Sequence, residues 1–126
     1  MAQTNPYNYQ LPTIDFGVAG TTDIFRFYLK TSTGAAFNAN GGHVYLSFIN
    51  YNNPYGTPIL SEELTLEQDD DDIYSIAVYT PEASDTINLD GLYIYQITVI
   101  DAGGKVEAKK GKAYITNNID KAILST

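Results

Sequence analysis

The stretch Leu89-Asp90-Gly91-Leu92-Tyr93-Ile94-Tyr95-Gln96-Ile97-Thr98-Val99 constrains this chain more than any other. A leucine, a glycine two residues on, a tyrosine, and then strict apolar alternation describe a strand starting at the corner of a β-sandwich. Gly91 supplies the backbone freedom for the tight entry. Tyr93 is then expected to fold under the corner, its hydroxyl returning to the backbone of residues 87–90. Gly91 and Tyr93 are structural corner residues and carry no chemistry.

The same alternation recurs along the chain. In residues 23–31, Phe25, Phe27 and Leu29 share one face, opposite Ile24, Arg26, Tyr28 and Lys30. In residues 43–49, Val44, Leu46 and Phe48 point inward. Residues 59–67 read as one strand, and 73–79 as another with Tyr74, Ile76 and Val78 on one face. Residues 13–18 form a short edge strand. Residues 106–115 return after a tight turn at Asp101 to Gly104, with Gly111 a candidate bulge. The expected core is Phe25, Phe27, Leu29, Val44, Leu46, Phe48, Ile76, Val78, Tyr95, Ile97 and Val99. Turn chemistry separates these runs, and no long helix is credible. The fold class is therefore all-β: an immunoglobulin-like antiparallel β-sandwich of about seven strands. Its parts are an extended N-terminal arm (1–12), the sandwich (13–116) and a short C-terminal tail (117–126).

A chain of 126 residues suffices for one core without covalent staples. It has no cysteine, so thiolate metal sites and cysteine nucleophiles are excluded. No apolar run approaches the ~20 residues of a membrane span, and the start lacks the basic and apolar regions of a secretion signal. Synthesis in a cytoplasm is expected. Net charge is −8, made of −10 over residues 1–100 and +2 over 101–126. So acidic a chain is poorly suited to nucleic acid, which rewards clustered Lys and Arg. The basic zone at Lys109, Lys110 and Lys112 reads as a strand's solvent face or edge.

Residues suited to chemistry are few. Asp69, Asp70, Asp71 and Asp72 lack the alternation, glycine and closing glutamate of a calcium loop, so they read as a solvated hairpin tip. His43 opens a strand beside a turn. Glu62, Glu63 and Glu67 read as protection of an edge strand. Gly103-Gly104-Lys105 is a turn, too short for a phosphate loop. No catalytic residue, metal site or cofactor is assigned, and no enzymatic role is expected.

Two kinds of binding surface stand out. Tyr7, Tyr9 and Leu11 alternate along the arm, and Ile119, Ile123 and Leu124 give the tail an apolar side. With Arg26, Tyr28 and Lys30 they are the candidate partner-binding residues, because arms with period-two side chains add to sheet edges. The loop residues Asn50, Tyr51, Asn52, Asn53 and Tyr55 are candidate glycan contacts, aromatic faces beside amides.

Taken in order, residues 22–30, then Gly34, Val44-Tyr45-Leu46-Ser47-Phe48, Ile73-Tyr74-Ser75-Ile76, the corner with Leu89, Gly91, Tyr93 and Tyr95-Gln96-Ile97, and Asp101 with Gly104-Lys105-Val106 resemble the sandwich modules of tailed-phage virions. The likeness is to the N-terminal domain of phage baseplate upper proteins, over residues 13–116. It implies a non-enzymatic virion structural protein, made in the host cytoplasm and docking in multiple copies on a symmetric particle. Baseplate or tail, capsid decoration and head-fibre anchor all fit. The implied partners are other virion proteins and copies of itself, with neither nucleic acid nor membrane. The alternative is a module binding a host-surface glycan through the Tyr51/Tyr55 loop.

Overall fold

In a computed structural model that describes residues 7 and 9–119, the described residues form eight strands and one helical turn. The strands are β1 (Ile14–Val18), β2 (Phe25–Tyr28), β3 (His43–Asn50), β4 (Leu60–Glu63), β5 (Thr65–Glu67), β6 (Ile76–Tyr79), β7 (Gly91–Ile100) and β8 (Val106–Thr116), with α1 (Ala83–Thr86) between β6 and β7. One sheet has the order β1-β8-β7-β3-β4 and the other β2-β6-β5. They face each other as an immunoglobulin-like β-sandwich.

The long strands β3 and β7 obey the alternation most plainly. Val44, Leu46 and Phe48 are fully buried, and Tyr93, Tyr95 and Ile97 join them on the same inner face. Phe16 of β1 fills the centre. Its ring lies 4.5 Å from Phe25, 5.0 Å edge-on to Phe48 and 6.1 Å edge-on to Tyr95, geometries that aromatic quadrupoles favour. At the corner, the Tyr93 hydroxyl donates to the Asp90 carbonyl at 3.1 Å and accepts from the Asp90 N–H at 2.8 Å. Gly91 has φ +106° there, and a Cβ would meet nothing within 4 Å. Its requirement is conformational, not steric.

Four expectations need correction. The run 59–67 is two strands, because the chain steps from the large sheet to the small one at buried Leu64, whose N–H donates to the Val44 carbonyl at 2.7 Å. The inward face of β6 is Ala77 and Tyr79, which pair with Phe27 and Phe25. Val78 is buried but lies on the outer face between Arg26 and Thr65, and Ile76 shares that face. Gly111 makes no bulge; it pairs in register with Tyr95, and a Cβ there would stand 2.5 Å from the Tyr95 ring. Finally, β1 runs parallel to β8, so the large sheet is mixed. The crossing at residues 81–88 holds the short α1, whose Asp85 carboxylate accepts from the Glu82 N–H at 3.0 Å and so satisfies a free donor at the helix start.

Candidate functional site

A seam runs along one side of the sandwich where the two sheets fail to meet. It is a cavity of about 510 Å³ with Phe27, Leu29 and Phe37 on one wall, Tyr95, Ile97 and Val99 behind, and Leu11 and Ile14 at its base. The rim is polar: Arg26, Tyr28 and Lys30 on the small-sheet side, Glu107 and Lys109 on the large-sheet side. Strand register explains the second pair. Glu107 and Lys109 sit opposite Val99 and Ile97 on β7, so they occupy inward positions of β8. Charges can stand there only because no sheet covers them.

Both strands that bound the seam have unpaired backbone. The N–H groups of Gln10 and Leu11 both donate to the Lys110 carbonyl at 3.0 Å, and the Lys110 N–H donates to Gln10 Oε1 at 3.2 Å. The backbone groups of Lys110 therefore point away from β7. Alternate residues of a strand point the same way, so those of Val106 and Ala108 do too. They have no partner there among the described residues. On β2 the Leu29 N–H donates inward to the Ser75 carbonyl at 2.8 Å, which leaves Arg26 and Tyr28 facing outward. An apolar groove between two open strand edges is the geometry that accepts an added strand.

The seam closes toward its lower end, where β1 covers β8. The Tyr95 hydroxyl donates to the Pro12 carbonyl at 2.6 Å, and burial pushes this phenol up to about 12. Leu11 packs against the core, so this candidate partner residue serves its own domain. Tyr9 is half-buried, with the Lys112 ammonium 5.5 Å above its ring. Burial, then the phenols of Tyr51 and Tyr7, push the Tyr9 pKa up to about 12. The Tyr7 ring lies 5.1 Å from that of Tyr51, and its hydroxyl donates to the Tyr51 carbonyl at 3.3 Å. These tyrosines lie across the outer face of the large sheet, where Ile94 is only 2% exposed. The arm residues thus pack on the domain from which they were expected to reach out.

Among the other partner candidates, Tyr28 is 63% and Ile119 90% exposed. Arg26 is exposed but engaged by Glu67 at 3.3 Å, an ion pair that straddles β6. Ile123 and Leu124 lie outside the described residues. In the loop, two tight turns close Asn50 to Asn53 and Asn53 to Gly56. Asn50, Asn52 and Asn53 are exposed, and Tyr55 is 70% exposed. Tyr51 is held by Tyr7, so the loop presents one free aromatic face instead of two.

The aspartates form a turn. Asp69 accepts from the N–H groups of Asp71 and Ile73 and from the Ser75 hydroxyl at 2.6 Å. The Ser75 bond, then the Ile73 bond, hold its carboxyl below the usual carboxylate range. Asp72 takes the left-handed conformation at φ 61°, which Asp tolerates better than most residues. Among the described residues no group of three or more His, Cys, Asp or Glu is placed to hold a metal ion. His43 lies on the surface, its Nδ1 2.7 Å from Glu63. Tyr79 donates to Asp85 at 3.0 Å, and burial with the Asp85 charge raises its pKa; the pair braces α1.

The seam itself was missed in the sequence. The available signal was parity: on β8 the inward positions begin with Glu107 and Lys109 and become Gly111, Ala113 and Ile115 only later. Nor do Lys109, Lys110 and Lys112 form one face, since Lys109 points into the seam and the other two outward.

No family model matches the chain, and no curated protein matches it. Among solved structures, CopC from Methylosinus trichosporium OB3b is similar, with a TM-score of 0.42 and 13% identity over 82% of this chain and 85% of that one.

Proposed function

We propose that this chain is a non-enzymatic structural protein of a tailed-phage virion, docking in multiple copies on a symmetric particle in the baseplate or tail, on the capsid, or at a head fibre. The observation that supports docking is the seam. Leaving a ~510 Å³ apolar groove and two strand edges open costs burial that a closed sandwich would gain, and a partner strand recovers it. The virion assignment is supported by the resemblance of the strand starts and hairpins. Immunoblotting of gradient-purified particles with an antibody raised against the recombinant protein tests it. Stoichiometric signal that co-sediments with infectivity is expected, and a protein confined to the unassembled fraction overturns the reading.

The alternative, recognition of a host-surface glycan, is favoured only by the exposure of Tyr55 beside Asn52 and Asn53. It requires that Tyr55→Ala abolish attachment to host cells or wall fragments. Normal attachment by that variant, or none by the wild type, removes it.

A further inference from the structure

We infer that the seam receives the opposite edge of a second copy of this chain, so that copies associate head to tail. The inference deepens the docking reading by naming the occupant, and it is read on the purified protein alone. Virion incorporation and self-association can therefore fail separately.

The argument is one of charge. Among the described residues all six Lys and Arg lie on the strands that bound the seam or directly beside them: Arg26 and Lys30 with β2, Lys105, Lys109, Lys110 and Lys112 with β8. The other side of the sandwich is formed by β4 and β5, the outer strands of the two sheets. Glu62, Glu63 and Glu67 lie on those strands and Asp69 to Asp72 form the turn that leaves β5 for β6, with no Lys or Arg from 62 to 72. Asp15, Asp23, Asp101 and Glu107 share the seam side's strands and flanks, so six bases less four acids leave it at +2 within a chain whose net charge is −8. Local pairs neutralise part of this: Arg26 with Glu67, Lys105 with Glu107 at 3.5 Å, and His43 with Glu63. Lys30 also bears on Asp69 across the narrow small sheet. Lys109, Lys110 and Lys112 on one side, and Asp70, Asp71 and Asp72 on the other, have no ion pair among the described residues.

Two further features suit the same occupant. The acidic side also ends in strand edges, so backbone bonds can form across the contact. It presents apolar surface as well: Ile59 is 39% exposed, and Leu60 and Leu66 are only partly buried. The two surfaces differ, so the contact is heterologous. Such a contact propagates into a ring or an open chain, depending on the rotation per step. The described arm residues do not occupy the seam's open half, since from Leu11 they turn to Tyr51 on the outer face, away from that half of β8. Edge protection by the inward charges of Glu107 and Lys109 does not account for the opposite sign gathered beyond β5.

Sedimentation velocity with two complementary variants tests the inference. Ala108→Pro with Lys109→Glu blocks the seam; the Ala108 N–H faces solvent, so proline there removes no bond to β7. Asp70→Lys with Asp71→Lys blocks the acidic side. Wild type should show mass growing with concentration, and association should weaken about tenfold or more when ~1 M salt cuts the screening length to ~3 Å. Each variant should keep a β-type circular-dichroism spectrum and stay monomeric. Their equimolar mixture should form a one-to-one complex that grows no further, because one usable surface remains on each partner. Wild type that stays monomeric at about 1 mM in low salt, which puts Kd above ~1 mM, overturns the inference. So does a mixture that stays monomeric, or a wild-type assembly that either variant leaves intact.

Discussion

On the β4–β5 side the chain steps between the sheets at Leu64 alone, whereas on the β2–β8 side the crossing from β1 to β2 through residues 19–24 closes only the lower end. The first side is sealed by a buried leucine. The second keeps charged residues at inward positions and an open groove beneath them. A sandwich has no groove where a strand changes sheets, and keeps one open where its edges end separately. The comparison also explains why similar aromatic residues have different burial. Phe48 lies between the two sheets and is fully buried, while Phe27 on the seam wall remains partly exposed.

The largest effect should come from breaking that contrast directly. Phe48→Ala should destabilise the protein by about 3–5 kcal/mol. Phe27→Ala should cost only ~1–2 kcal/mol, since its ring is already part-hydrated. Equal losses in urea unfolding would mean that the seam is shut in solution. Next is Gly111→Ala. The new methyl meets the Tyr95 ring, and overpacking of this kind costs ~1–3 kcal/mol. Gly103→Ala, whose Cβ would stand 3.4 Å from Asp101 Oδ1, should be nearly neutral. A neutral Gly111→Ala would show that Tyr95 can move into the seam.

Tyr95→Phe should cost about 1 kcal/mol through loss of the Pro12 bond. Its pH signature has a defined sign. The folded-state phenol titrates at about 12 against an ordinary 10.0, so its contribution is complete below 10 and is lost as pH rises through 12. Stability of the wild type should fall more steeply over that window than stability of Tyr95→Phe; parallel curves would mean the hydroxyl is solvated. Smallest is the effect of calcium, which should leave the melting temperature unchanged at millimolar concentration. A rise of several degrees would demonstrate linkage at the aspartate turn.

Much of the fold could be read from residues whose constraint is local. β3 and β7 are long and apolar on one alternation in their central spans, the corner carries its own glycine and tyrosine, and the hairpin at Asp101 to Gly104 is built from its own side chain and N–H groups. The failures involve partners distant in sequence. β6 is apolar on both alternations, so its face is decided by β2 and β5. Gly111 is required by a ring on the neighbouring strand. Leu64 looks like any strand leucine, because a change of sheet needs no breaker. The seam draws on β2, β7, β8 and the arm, and no single segment announces it. The arm residues were legible as sticky, but not as occupied by the domain itself.

The parallel pairing of β1 with β8 has a consequence for how the molecule forms. Ile14 sits beside Ala113, so β1 waits for β8. Phe16, the centre of the aromatic cluster, cannot take its place on β8 until residues near 113 have left the ribosome. Closure of so long a loop is slow relative to local hairpins, and during that wait the β3–β7 surface is bare. The order of events should therefore be a β3–β4 hairpin and a β7–β8 hairpin first, with the N-terminal strand docking as the final step.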